Sequence, residues 1–236
     1  MKLTDKKNKI YKKAIVTLSM GKEAKEFSIL THPLIKDYAN RINASFVIID
    51  RYKLRLGSPH FEKFQIYELL NTFNRIIYLD TDIIITPRCP NLFDIVPEDK
   101  LGVFFENKFG NTHGHAIKLI KEELGDLPGW KEDYFNSGVM VISRRHKEIF
   151  NPNYGHFKGS FEQTQLNYNV QKLKIPTYNL GFKYNYIHLR EHRDRSERFS
   201  CYIIHYAGCG HGEGTRIEQI KRDLKIIKEN LKTPDP

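Results

Sequence analysis

Apolar and polar positions along this chain fall into short strand-like runs separated by stretches with helical spacing. Ala14 to Leu18 is an apolar run that predicts a buried strand. Gly21 follows, then a helical stretch interrupted by Pro33, beyond which Leu34, Ile35, Tyr38, Ala39 and Ile42 recur at helical spacing. Phe46 to Ile49 is a second run of strand length. Ser58-Pro59 predicts a helix start, a capping hydroxyl before proline at the first helical position. The helix it opens carries Lys63, Phe64, Tyr67 and Leu70. Ile76 to Leu79 is β-rich, too short for a helix, and delivers Asp80 at its end.

Leu101 to Phe105 predicts another strand and His115 to Leu124 a helix. Phe135 to Ile142 is apolar and β-rich around Asn136-Ser137-Gly138, residue types that disfavour strands. Phe161 to Leu173 reads as helical, with Ser160 as cap and Gln163 as the return partner of a capping box. Cys201 to His205 is a late strand. Thr215 and Glu218 form a second capping box, opening a helix with Ile217, Ile220, Leu224, Ile227 and Leu231 on one face. Strands alternating with helices predict an α/β fold, one domain over 1–236 with a mostly parallel sheet flanked by helices. In such sheets ligands sit beyond the carboxyl ends of strands.

Composition narrows the class. At 236 residues and 40% hydrophobic, the chain can bury one substantial core, and 12% aromatic residues exclude a disordered chain. No run approaches ~18 apolar residues, so no transmembrane helix is expected. The lysine-rich start lacks the apolar core of a secretory signal. Three cysteines, Cys89, Cys201 and Cys209, show no C-x-x-C spacing and point to a reducing, cytoplasmic setting. The formal charge is +10. Much of it sits in a basic, flexible N-terminus over 1–12 and in a basic amphipathic helix over 215–232. We read it as solvated surface, including Arg216, Lys221 and Arg222. Aromatics are not interleaved with these runs, which speaks against nucleic acid as a partner. Peripheral contact of the last helix with anionic lipid is the milder alternative.

Asp80 and Asp82 stand between the apolar run 76–79 and Ile83-Ile84-Ile85. Two carboxylates this close repel, and burying either unpaired is costly. A divalent cation joining them resolves both problems, and hard oxygen ligands suit magnesium or manganese. An ordinary aspartate-rich turn is the competing reading.

The segment Phe73 to Ile85, holding Asp80-Thr81-Asp82, resembles the DxD segment of glycosyltransferase family 8, which includes glycogenin and bacterial galactosyltransferases. Lys63 to Tyr67 is similar to that family's lysine-bearing helix, Tyr134 to Val141 to its Tyr-Phe-Asn-Ala/Ser-Gly-Val segment, and His205 to Gly208 to its His-x-x-Gly block. The resemblance implies a GT-A (nucleotide-diphospho-sugar transferase) fold. It implies transfer of a sugar from a nucleotide-sugar, UDP-linked by preference, to a glycan or other hydroxyl acceptor with retention. Asp80, Asp82 and His205 would hold Mn2+ (or Mg2+), which neutralises the departing diphosphate. Thr17, Ser19, Lys63, Thr81, Asn136, Ser137, Gly138, Gly208 and His211 would contact the donor. Glu162 and Gln163 would stand beside the anomeric carbon. Two positions depart from the family pattern: Glu162 replaces an aspartate, and His211 stands where a phosphate-binding lysine is usual.

Rival readings have less support. A haloacid-dehalogenase phosphatase also uses strand-Asp-x-Asp, but near the N-terminus and with a later Gly-Asp-x-x-x-Asp; here Trp130 follows Gly125-Asp126 at the critical place. A basic nucleic-acid or membrane-surface binding module on a degenerate fold would not need the intact acidic pair. An inverting enzyme would need a carboxylate base, with Asp133 or Glu132 as candidates. Acceptor recognition is expected in loops, with Asn151 to Gly159 and Arg190 to Arg198 as candidates.

Overall fold

The computed structural model describes residues 13–110, 112–130, 133–154, 162–188 and 195–230. The basic N-terminal arm, Ser160 with Phe161, Glu132, Leu231 and most of the two acceptor-loop candidates lie outside these residues. In chain order the regular elements are β1 (Lys13–Leu18), α1 (Gly21–Arg41), β2 (Ser45–Ile49), a 3-10 helix (Pro59–Gln65), α2 (Ile66–Thr72), β3 (Arg75–Leu79), β4 (Ile83–Ile85), α3 (Leu92–Ile95) and β5 (Leu101–Phe105). They continue with α4 (Gly114–Leu124), β6 (Phe135–Ser143), α5 (Glu162–Lys172), β7 (Thr177–Asn179), β8 (Ile203–His205) and α6 (Arg216–Asn230).

Six strands form one twisted sheet in the order β2-β1-β3-β6-β5-β7. The β1–β2, β1–β3 and β5–β7 pairs are parallel; β3–β6 and β5–β6 are antiparallel. This is the expected mixed, mostly parallel sheet. Side chains alternate across it, as the period of two requires. Ala14, Val16, Ile76, Tyr78, Met140 and Ile142 meet the 3-10 helix, α2 and α5 through Phe61, Phe64, Leu70 and Leu166. Ile15, Ile77, Leu79, Val139 and Val141 meet α1 and α3 through Ile35, Tyr38, Ala39 and Leu92. Each valine, leucine, isoleucine, methionine or phenylalanine among them, fully buried, contributes about 1.5–3 kcal/mol.

A second, two-stranded sheet matters more for the site. β4 pairs antiparallel with β8, with Ile83 opposite His205. The Tyr206 amide donates to the Asp82 carbonyl at 2.9 Å. A stretch far along the chain is thereby laid beside the acidic pair. Its strand begins at Ile203, two residues later than expected, because Cys201 still belongs to the preceding turn and its amide bonds Arg198. The Ser58 hydroxyl caps as expected, but the first turns after it are 3-10 and the α-helix starts only at Ile66.

Pro33 does not interrupt its helix: α1 runs through it. Proline removes one backbone donor, but here it stands on the exposed face, where water can satisfy the freed carbonyl. Phe27, Thr31, Ile35, Tyr38 and Ala39 are buried on the other face and hold both halves in line. Within that face, the buried Thr31 hydroxyl donates to the Thr81 carbonyl at 2.7 Å. The Thr81 hydroxyl donates to the Leu18 carbonyl at 2.5 Å. The Asp80–Asp82 turn is thus pinned to α1 and β1. Thr31→Val keeps the shape and removes the donor. It should cost about 1–2 kcal/mol in urea denaturation, and should lower the stability of the Asp80–Asp82 turn as read by amide exchange at Asp82.

Candidate active site

β3 ends at Leu79, and Asp80 begins the turn beyond its carboxyl end, with its amide bonded to the Gly138 carbonyl at 2.8 Å. Each carboxylate of the pair uses its two oxygens differently. Asp80 Oδ1 accepts the Tyr78 hydroxyl at 2.7 Å and lies 3.6 Å from Lys63 Nζ, while Oδ2 faces His205 Nε2 at 3.6 Å. Asp82 Oδ2 accepts Arg216 Nη1 at 2.8 Å, while Oδ1 faces the same His205 nitrogen at 3.3 Å. One oxygen of each is anchored and the other points to a common centre.

The imidazole is oriented from behind. His205 Nδ1–H donates to Asn185 Oδ1 at 2.9 Å, and Asn185 Nδ2 donates to Asn136 Oδ1 at 2.9 Å. Asn136 in turn donates to Glu106 Oε1 at 2.8 Å. Fixing Nδ1 as donor leaves Nε2 for the carboxylates or a metal. Burial alone would push the His205 pKa down, but the carboxylates of Asp82 and Asp80 raise it overall. Positive charge at this ring is therefore favoured by the carboxylates it faces.

These residues fit a divalent cation. One ligand atom each from Asp80, Asp82 and His205 lies within 4.8 Å of the others, a cluster of two hard oxygens and an imidazole. Gly138 packs against it: a Cβ there would overlap the His205 ring and the Asp80 carboxylate, so only glycine leaves this space open.

Beside the cluster, Lys63 and Glu162 form a close ion pair, and Ser137 bridges it. Lys63 donates to the Ser137 hydroxyl at 3.0 Å, which donates to Glu162 at 2.7 Å. Burial pushes the Glu162 pKa up, but the Lys63 ammonium and the hydrogen bonds hold it below the usual carboxylate range. Burial opposes the charge on Lys63 too, and Asp80 with Glu162 restores and raises its pKa. Gln163 Oε1 accepts the Ser137 amide at 3.0 Å.

A cavity of about 430 Å³ opens over this assembly. Asp80, Asp82, His205, Lys63, Asn136, Ser137, Glu162, Gln163 and Gly208 all line it. Gly208 turns the backbone there with φ +62°, a conformation L side chains rarely adopt. A second cavity of about 270 Å³ adjoins it, sharing His60, Asp80, Asp82 and Arg216, and is walled by Leu18, Met20, Gly21, Ala24, Phe27 and Thr81.

Three expected contacts are placed elsewhere. Thr17 is fully buried, its hydroxyl 3.2 Å from that of Thr81. Ser19 is turned to the Ala24 carbonyl; strand alternation sends Leu18 and Met20 into the cavity wall instead. His211 is 2% exposed, packed against Tyr186 and Tyr206, with Nε2–H donating to the His205 carbonyl at 2.7 Å. Burial pushes its pKa down to about 4, so it is neutral and supports the His205 backbone rather than facing a phosphate. Asp133 lines neither cavity, and Arg198 pairs with Asp223 beneath α6 at 2.7 Å.

Sequence reasoning missed Tyr78, Glu106, His113, Asn185 and Arg216. His113 lines the larger cavity, bonds Glu106 at 2.7 Å and stacks on Tyr134 with ring centroids 4.0 Å apart. For Arg216 a signal existed. The box of Thr215 and Glu218 forms, with the Thr215 amide 2.8 Å from Glu218 Oε2, and makes Arg216 the first helical residue. A cation there opposes the helix dipole, which calls for a local anion. Asp82 and Glu23 are those anions.

The sequence pattern of glycosyl transferase family 8 matches residues 51–211, and the chain belongs to that family. It is a glycosyltransferase of GT-A fold that uses a nucleotide-sugar donor. A glycosyltransferase involved in glycosylating the major capsid of PBCV-1 superposes with TM-score 0.56 at 14% identity, over 89% of this chain and 99% of that one. The bifunctional WbbM protein superposes with TM-score 0.62 at 12% identity, over 85% and 46%. The galactosyltransferase LgtC, solved with donor and acceptor sugar analogues, gives 0.52 at 17% identity, over 94% and 98%. At these identities the likeness speaks for the fold. No curated protein sequence matches the chain. The comparisons lend no support to the phosphatase or binding-module readings. No helix among the described residues is long and apolar enough to cross a membrane.

Two outcomes follow from the site's charges. Lys63→Met leaves Glu162 buried without its partner and should cost about 3 kcal/mol in urea denaturation; adding Glu162→Leu should recover part of the loss. His211 has an ordinary pKa of 6.5 and a folded value of about 4. The unfolded chain binds the extra proton between those values, so this contribution is fully present above about pH 6.5 and is lost as pH falls towards 4, about 3 kcal/mol in all. His211→Gln should flatten that part of the stability profile, measured by urea melts between about pH 7 and 4.5.

Proposed function

We propose that this chain transfers a sugar from a UDP-linked donor to a hydroxyl of a glycan acceptor, with Mn2+ (or Mg2+) at Asp80, Asp82 and His205. The observation that carries the reading is the convergence of those three side chains at one centre on the wall of a cavity that also holds Lys63, Glu162 and Gln163. A divalent ion there would neutralise the charge developing on the departing diphosphate. The protein's own groups do the rest. Gly208 brings the backbone close to the phosphates. Asn136, Ser137 and Gly138 form the floor beneath the donor sugar. Lys63 fixes Asp80 and Glu162 at once, so the carboxylate nearest the sugar is held ionised and oriented. Gln163, anchored on the Ser137 amide, faces the reacting carbon from the same wall.

Retention of configuration and the preference for uridine rest on membership of the family. The charge pattern agrees with retention, because Glu162 is already committed to Lys63 and Ser137 and is poorly placed to act as a general base. We place the whole activity in one GT-A domain, in a cytoplasmic setting, with the basic α6 as the surface for any peripheral contact with anionic lipid.

Thermal denaturation with Mn2+ and a panel of nucleoside diphosphates tests the reading. UDP with Mn2+ in large excess should raise Tm by about 5–10 °C, UDP with chelator should not, and Asp82→Ala should abolish the rise together with donor hydrolysis. A wild-type protein indifferent to every nucleoside diphosphate would overturn it. Proton NMR of the first product should show the donor's anomeric configuration.

A further inference from the structure

The family's phosphate-binding lysine has no counterpart in this loop. His211 holds that place, and its ring is buried between Tyr186 and Tyr206 with one nitrogen committed to the His205 carbonyl. The cavity nevertheless contains another cation. Arg216, the first residue of α6, lines both adjoining cavities and so stands at the junction between the metal cluster and the pocket walled by Leu18, Met20 and Ala24. A diphosphate linking an ion at the metal cluster to a nucleoside in the smaller cavity would pass that junction.

We propose that Arg216 is the residue that binds the donor's diphosphate, replacing the missing lysine from a different element; this rests on the nucleotide-sugar reading above. The guanidinium is held in a way that suits the task. Nη1 donates to Asp82 Oδ2 at 2.8 Å, the oxygen turned away from His205, so the anchor leaves the metal-facing Oδ1 free. Its Cζ lies over the Phe27 ring, 4.7 Å from the centroid, which holds it against the wall. Nη2 lies 2.7 Å from Glu23 Oε1, a carboxylate on an exposed side chain. An exposed pair of this kind is weak and exchangeable. A phosphate oxygen arriving at the junction takes the donors that Glu23 holds, while Asp82 keeps the arginine in place. Arginine's forked donors match phosphate oxygens well.

Competing cations are less suited. Lys63 is enclosed by Glu162, Asp80 and Ser137, so its charge is already matched. Lys22 lines the smaller cavity from an exposed position on α1. It is the serious rival, and the experiment includes it.

Calorimetric titration of the full chain with UDP at saturating Mn2+, and with Mn2+ alone, decides the matter. Arg216→Gln should weaken UDP about tenfold to a hundredfold, UMP much less, and leave Mn2+ affinity unchanged or tighter because a neighbouring positive charge is gone. Glu23→Gln should tighten UDP, about two- to fivefold, since the guanidinium is no longer shared; a purely structural arginine gives no such gain. Unfolding melts of each variant confirm an intact fold. The proposal is overturned if Arg216→Gln binds UDP like the wild type. It is also overturned if Mn2+ and UDP weaken in equal measure, or if Lys22→Ala carries the loss instead. If the wild type binds no nucleoside diphosphate at all, the reading of the site fails with it, whereas a wild type that binds and a variant that still binds sinks only the role of Arg216.

Discussion

Two carboxylates placed two residues apart at the end of a buried strand set the terms for the rest of this molecule. Their mutual repulsion, and the cost of removing them from water, must be offset by positive charge from somewhere. The chain supplies it from three elements: Lys63 from the 3-10 helix, His205 from β8 and Arg216 from α6. Glu162 adds a third carboxylate opposite Lys63. With His205 protonated the inner cluster is formally balanced, three positive groups against Asp80, Asp82 and Glu162. A divalent ion in place of the imidazole proton would leave one net positive charge facing the cavity, which is a suitable greeting for a diphosphate and a poor one for a neutral sugar alone. Binding of a metal there would therefore be linked to release of the imidazole proton.

That arrangement depends on the small β4–β8 ribbon as much as on the main sheet. The main sheet delivers Asp80 at a strand end, as open α/β sheets deliver ligand-binding residues generally. It does not deliver His205. The register of Ile83 against His205 and the bond from Tyr206 to Asp82 do so. Behind the imidazole, the chain of Asn185, Asn136 and Glu106 sets which nitrogen faces the carboxylates. These are side-chain networks in a buried place, where each unsatisfied group would be costly, so the partners hold one another's orientation.

Much of this was legible in the sequence. The strands that hold the core announced themselves as apolar runs, and the acidic pair, Lys63, Asn136, Gly138, Glu162 and His205 were singled out from local pattern and resemblance. What was not legible has physical causes. Pro33 predicts a break only if its helix face is buried, and burial is a tertiary fact. Thr17 and Ser19 follow the right strand but alternate onto the wrong side of it. β4 and β7 are three residues long, too short to show a period. Asn185 and Glu106 have no local mark at all, since their roles exist only through partners distant in sequence. Arg216 sat among other basic residues of a helix whose remaining cations do face water; a count of charges cannot separate it from them, and only its place as the first helical residue marks it out.

The two departures from the family pattern look different once their surroundings are known. A glutamate in place of an aspartate at position 162 adds one methylene, and its carboxylate meets Lys63 and Ser137 together. The substitution is absorbed by the ion pair and does not leave a loose carboxylate. At position 211 the change from lysine to histidine removes a flexible cation and installs a flat, neutral ring that fits between Tyr186 and Tyr206. The loop gains packing and the carbonyl of His205 gains a donor. On the proposed nucleotide-sugar reading, a diphosphate held by a metal alone would leave oxygens without a partner, and a second cation would supply it. An arginine at the first turn of α6 is an electrostatic misfit with its own helix and a match for that cavity. A cation kept where the helix disfavours it is best explained by what it faces.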